Sequence, residues 1–125
     1  MQTETGPVLA NHHILLVEDE VIIAIDLRES LEEAGARVTH ARTRARGLEL
    51  AEAARFDAAI LDVNLGNGET CEPIAEALKQ RAVPFILHTG DLTMMGELVH
   101  RIGAPIASKP MQSEKLIEIL IAAKG

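Results

Sequence analysis

Apolar residues along this chain fall into short unbroken runs that alternate with helically spaced ones. His13-Ile14-Leu15-Leu16-Val17 is continuous and stops at Glu18-Asp19-Glu20, which predicts a strand buried on both faces. Ala24, Leu27, Leu31 and Ala34 then recur at helical spacing, and Gly35 follows as a stop. The same alternation repeats four more times. Further strands are expected over 37–41, 56–61 (ending at Asp62), 84–88 and 105–108. Further helices are expected over 45–54, 72–80 and 92–102, the last with Met94, Met95, Leu98 and Ile102 inward. Pro73 is tolerated in the first turn of the 72–80 helix. A final helix is capped by Ser113 and runs through Leu116, Ile119 and Leu120. Residues 1–12 are polar with Gly6-Pro7 and read as a flexible lead-in, leaving one domain over 13–124. Five strand–helix alternations predict an α/β fold, a five-stranded parallel sheet flanked by five helices with right-handed crossovers.

Composition narrows this picture. The chain has 125 residues, 47% of them apolar, which supplies a core for one domain. With two Phe and no Trp or Tyr, that core must be aliphatic. A formal charge of −7 disfavours direct binding to nucleic acid. Arg42, Arg44 and Arg46 form a local basic patch, either a solvated helix start or a docking spot. Cys71 is the only cysteine, so no disulfide forms within the chain and a reducing compartment is expected. No secretory signal and no apolar stretch of membrane-spanning length is present, so a soluble, cytoplasmic protein is expected. The sequence ends one residue after Lys124, and no output domain is expected downstream.

Candidate chemistry lies where the strands end. Strands one, three, four and five end at Glu18 with Asp19, at Asp62, at Thr89 and at Lys109. In an open parallel sheet, ligands sit beyond the carboxyl ends of the strands, so these scattered residues converge on one pocket. Clustered carboxylates repel unless a cation intervenes. Oxygen-only ligands favour a hard ion, Mg²⁺, with Mn²⁺ as a possible substitute. Asp19 and Asp62 are the best ligands, Glu18 helps directly or through water, and a backbone carbonyl near Asn64 is another. A carboxylate beside Mg²⁺ can attack a phosphoryl group and form an acyl phosphate. Lys109 supplies a second positive charge and Thr89 a hydroxyl for the new phosphoryl.

At these residues the sequence resembles the receiver domain of bacterial two-component response regulators. The matching segments are Leu15-Leu16-Val17-Glu18-Asp19-Glu20, Leu61-Asp62-Val63-Asn64-Leu65, Thr89-Gly90 and Lys109-Pro110. The resemblance implies a flavodoxin-like (βα)5 fold with Asp62 as phospho-acceptor, Thr89 as switch hydroxyl and Lys109 as charge partner of the phosphoryl. Glu18, Asp19, Asp62 and the carbonyl of Asn64 hold Mg²⁺, and Lys109-Pro110 is cis. It further implies a sensor histidine kinase or phosphotransfer protein as donor. The signal then leaves by contact with a downstream protein of unknown identity, from a monomer or a phosphorylation-dependent homodimer. Leu87-His88-Thr89-Gly90 is similar to the motif of stand-alone receivers named for Phe-Ala-Thr-Gly. Two positions depart from the pattern. Ile106 stands where many receivers carry a switch aromatic, so a switch is expected to run through Thr89 and the segment 90–103. His88 precedes the threonine where close relatives have a small residue, and reads as a buried structural histidine or a titratable group near a partner surface. Asn64 and Asp91, two positions beyond Asp62 and Thr89, are expected to tune phosphoryl hydrolysis. The expected contact surface is the face built by the fourth helix, fifth strand and fifth helix.

A receiver is a binding module, not an enzyme acting on outside substrates. Three alternatives remain: a phosphorylation-independent adaptor, a phosphate sink, and an aspartyl phosphatase. The last wants a second acid two residues after the nucleophile, where this chain has Asn64.

Overall fold

A computed structural model describes residues 7–90 and 96–125. Ten elements alternate: β1 (His13–Val17), α1 (Val21–Glu33), β2 (Arg37–Ala41), α2 (Arg44–Ala53), β3 (Ala58–Asp62), α3 (Glu72–Gln80), β4 (Phe85–Thr89), α4 (Gly96–Ile102), β5 (Ile106–Ser108) and α5 (Ser113–Lys124). The strands form one sheet in the order β2-β1-β3-β4-β5, and every neighbouring pair is parallel. This is the flavodoxin-like (βα)5 arrangement.

Because side chains alternate across a strand, each strand feeds two cores. Leu15, Val17, Leu61 and Leu87 point toward α2 and α3, where Ile74 and Leu78 meet them. Ile14, Leu16, Ile60 and Ile86 point the other way, onto Leu27 and Leu31 of α1 and Leu116 and Leu120 of α5. Central strands are apolar throughout because both faces are covered. Leu98 packs half-buried and Ile102 buried against the first core; Met94, Met95 and Asp91 lie outside the described residues.

The element boundaries differ from expectation for local reasons. β3 starts at Ala58, not at residue 56. The Asp57 carboxylate accepts the His13 backbone N–H at 2.7 Å, and Phe56 stacks against the His13 ring at 4.6 Å. β4 and β5 start one residue after Pro84 and Pro105. Each proline lacks an N–H and contributes only its carbonyl, to Ala59 and Leu87 respectively. Ser113 is not the cap of α5. Gln112 holds that position, and the Ser113 hydroxyl donates to Asp26 on α1 at 2.9 Å, tying the two helices together. Within the lead-in, Leu9 is buried in the α1–α5 core, and its N–H donates to Ala34 O at 2.7 Å. Gly35 permits that approach. It has φ +103°, and a Cβ there would lie 2.8 Å from Pro7 Cβ.

α1 carries a feature that the inward spacing hides. Ala24, Leu27 and Leu31 are buried, while Val21, Ile22 and Ile25 are exposed, Ile22 to 83%. No helix among the described residues is long and apolar enough to cross a membrane.

Candidate functional site

β1 and β3 are neighbours, but the chain leaves them toward opposite edges of the sheet. Such a reversal opens a crevice at the carboxyl ends of the strands. Glu18 and Asp19 follow β1, Asp62 ends β3, Thr89 ends β4, and Lys109 follows β5. The structure therefore brings all five predicted side chains to one edge. A cleft of about 290 Å³ is lined by Asp19, Asp62, Asn64, Thr89 and Lys109, with Glu20 at its rim.

Lys109 is the hub. Its Nζ donates to Glu18 Oε2 at 3.3 Å, to Glu20 Oε1 at 3.0 Å and to Asp62 Oδ2 at 3.2 Å. Carboxylate oxygens of Glu18, Asp19, Glu20 and Asp62 all lie within 4.8 Å of one another. One ammonium thus bonds three acids of a four-acid cluster, and two of these, Glu18 and Asp62, are buried. Burial first, and then the adjoining Glu18, push the Asp62 carboxyl up to about 8. Burial works the same way on Glu18, but His88, a protonated Asp62 and Lys109 outweigh it and hold Glu18 below the usual carboxylate range. The two acids titrate together, and each sets the other's hold on a proton. Burial likewise opposes the charge on Lys109, yet Asp62, Glu20 and Glu18 keep its pKa above the ordinary lysine value.

This donor set fits a hard divalent cation. It offers only oxygens, and its acids are mutually repelled, a repulsion that a metal charge would relieve. Asn64 sits at the start of the β3–α3 loop. Its N–H points at Asp62 Oδ1 at 3.4 Å, and its side-chain oxygen accepts from Gly66 N at 3.0 Å, shaping the turn. Pro110 follows a cis bond from Lys109. Cys71 is buried behind the site, and burial pushes its thiol up to about 12, which leaves it unreactive.

Sequence patterning missed two neighbours, Glu20 and His40, and read His88 as buried without showing what it faces. Glu20 joins the cluster, and the acidic triplet was its signal. His40 on β2 donates from Nε2 to the Glu18 carbonyl at 2.8 Å; only the strand register reveals it. His88 lies beside Asp62 in register, is 4% exposed, and has Nδ1 at 3.8 Å from Glu18 Oε1. At that separation it is a close polar neighbour, not a formed hydrogen bond.

The response regulator receiver domain model matches residues 14–121. The chain belongs to this family. Its receiver is 41% identical over 75 residues to the KDP operon transcriptional regulatory protein KdpE of Escherichia coli (strain K12). That match covers 60% of this chain and 33% of KdpE, so the chain spans about a third of that relative. Among solved structures it is similar to a CheY-like response regulator receiver domain protein from Methanospirillum hungatei JF-1. The TM-score is 0.80 at 28% identity, over 90% of this chain and 93% of the other. It is also similar to the receiver domain of sensor histidine kinase PA1611 from Pseudomonas aeruginosa PAO1. There the TM-score is 0.77 at 26% identity, over 93% and 99% of the two chains, and that structure has a magnesium ion coordinated in its active site cleft. Receivers are the phosphorylation-accepting signalling domains of two-component systems, and the receiver fold here carries that family's acidic crevice.

Proposed function

We propose that this receiver accepts a phosphoryl group on Asp62 from a phosphohistidine donor, a sensor histidine kinase or a phosphotransfer protein, in a Mg²⁺-dependent reaction. The observation that carries the reading is Asp62 set between Lys109, at 3.2 Å, and the acidic cluster around it. An ionised Asp62 oxygen attacks the phosphorus. The bond from phosphorus to the donor's imidazole nitrogen breaks, and that nitrogen keeps the electron pair. Lys109 then turns its Nζ from Glu20 and Glu18 to a phosphoryl oxygen, and the Thr89 hydroxyl donates to another. Asp19, Asp62, the Asn64 carbonyl and Glu18, directly or through water, would hold the cation, and Mg²⁺, or Mn²⁺ in its place, would supply charge neutralisation for the transferring phosphoryl. Asp62 needs that help, because without a cation its pKa of about 8 leaves much of it protonated near neutral pH.

The signal leaves through protein contacts. Ile106 has no ring to swing, so the switch runs through Thr89 and the segment that follows it. Donor docking falls on α1, where exposed Val21, Ile22 and Ile25 stand beside the acidic rim. The expected output surface, the face of α4, β5 and α5, is a separate one; it carries exposed Ile106 and Ile121, and its Met94 and Met95 lie outside the described residues. Ile22→Glu is expected to slow transfer from a phosphorylated histidine kinase by about tenfold while leaving uptake from a small phosphodonor unchanged. Equal slowing with both donors would move the effect from docking to the site.

The reading is tested by incubating the chain with Mg²⁺ and acetyl phosphate and recording its intact mass. One added phosphoryl group is expected, and it is lost when EDTA replaces the metal. No addition with Mg²⁺ present overturns the proposal.

A further inference from the structure

Every buried side-chain nitrogen or oxygen without a hydrogen-bond partner, among the described residues, belongs to two neighbours: Glu18 Oε1, His88 Nδ1 and His88 Nε2. Leaving one such atom unpaired costs about 1–3 kcal/mol, so three in one place need an account. Glu18 is 1% exposed and His88 4% exposed. Their unpaired atoms, Oε1 and Nδ1, face each other across 3.8 Å.

The rest of Glu18 is already held. Its carbonyl accepts from His40 Nε2 at 2.8 Å. Its Oε2 accepts from Lys109 Nζ at 3.3 Å and from the Glu20 N–H at 3.2 Å. Only Oε1 lacks a donor, and His88 is the side chain aimed at it. His88 stands opposite Asp62 on β3 and opposite Ala107 on β5. It shares a face of β4 with Ile86, which packs in the apolar α1–α5 core. An aliphatic residue at 88 would meet the packing need without a desolvation cost, so the ring serves something other than packing.

We propose that His88 is a positioning residue for the cation site. Its Nδ1–H holds Glu18 Oε1, through a single water or after a small closure, and so fixes the carboxylate that shares a divalent cation with Asp19 and Asp62. Such an outer partner orients a carboxylate ligand before the metal arrives. Nε2 then acts as an acceptor on the side of an adjoining cavity of about 600 Å³ between α1 and Met111, which has room for a hydrating water. The inference rests on the Mg²⁺ reading above.

Titration calorimetry with MgCl₂ alone, no phosphodonor present, tests it on wild type, His88→Leu and His88→Asn. Leucine fills the space without nitrogen, and the Asn amide reaches the place of Nδ1. Expected is Mg²⁺ binding weakened about tenfold in His88→Leu, with a metal-free melting temperature equal to or above that of wild type, and affinity restored in His88→Asn. His88→Leu binding Mg²⁺ as tightly as wild type overturns the role of His88 and leaves the cation site standing. Wild type that binds no Mg²⁺ overturns both. Should His88→Leu fail to fold, His88→Asn is set against His88→Gln, whose amide reaches the place of Nε2. Tighter binding by the Asn variant supports the proposal, and equal or reversed affinities overturn it.

Discussion

The Asp62→Ala variant takes up no phosphoryl group from acetyl phosphate and Mg²⁺, under conditions in which the wild-type chain gains one by intact mass. Four acids crowd the site, so the prediction must say why the other three do not substitute. Glu18 is more deeply buried than Asp62 and spends Oε2 on Lys109 and the Glu20 N–H. Glu20 sits out at the rim with its side chain 59% exposed, where water competes for any bound group. Asp19 follows β1, one strand further from Thr89. Asp62 alone ends the strand between Glu18 on one side and Thr89 on the other, with Lys109 at 3.2 Å. A nucleophile needs its charge partners aligned before reaction, and misplacement by an ångström is costly. Uptake that persists in Asp62→Ala would assign the acceptor to another acid.

Without a divalent cation, the protein loses stability as pH rises from about 5 to about 8, and Asp62→Asn abolishes most of that loss. Burial, then Glu18, raise Asp62 from its ordinary value of 3.8 to about 8. A folded-state pKa above the unfolded one means that the folded state holds the proton more tightly. That contribution is complete below the unfolded value and is lost as pH climbs through the folded one. At about 1.4 kcal/mol for each unit, the three units from pH 5 to pH 8 correspond to roughly 4 kcal/mol. Glu18 works in the opposite sense, since its folded value is lowered. Its contribution is present above the ordinary 4.5 and is lost only as pH falls below it, outside the window concerned. Urea denaturation in EDTA at pH 5 and pH 8 reads the effect. A wild-type slope no steeper than that of Asp62→Asn would show that Asp62 is ionised in the apo protein at ordinary pH. Added Mg²⁺ at pH 8 is expected to recover stability, because it takes the place of the proton.

Much of this was legible in the sequence because parallel strands buried on both faces leave few places for polar residues. Glu18, Asp19, Asp62, Thr89 and Lys109 stood out against apolar runs, and the fold gathers them. Ser113 looked like a cap, but a hydroxyl near a helix start serves equally well as a bridge to Asp26. Phe56 and Asp57 continued an apolar run, and only the three-dimensional position of His13 shows why the strand begins later. Leu9 sits in an apolar stretch, Val8-Leu9-Ala10, too short to register as an element, and its burial depends on Gly35 admitting Pro7. Val21, Ile22 and Ile25 could have been found by asking which apolar positions of α1 the inward set Ala24, Leu27 and Leu31 leaves over. His88 was legible as a buried histidine, but its place beside Glu18 and Asp62, like the bond from His40, comes from strand neighbours far away in the chain.

The ties from Lys109 reach back 47 residues to Asp62 and 91 residues to Glu18. Contacts so distant along the chain close late, after the local helices have formed and the loop entropy has been met. A chain still lacking β5 has Asp62 and most of the sheet but not the lysine. On the proposed reading, capacity to take up a phosphoryl group therefore appears in one step, when β5 docks beside β4.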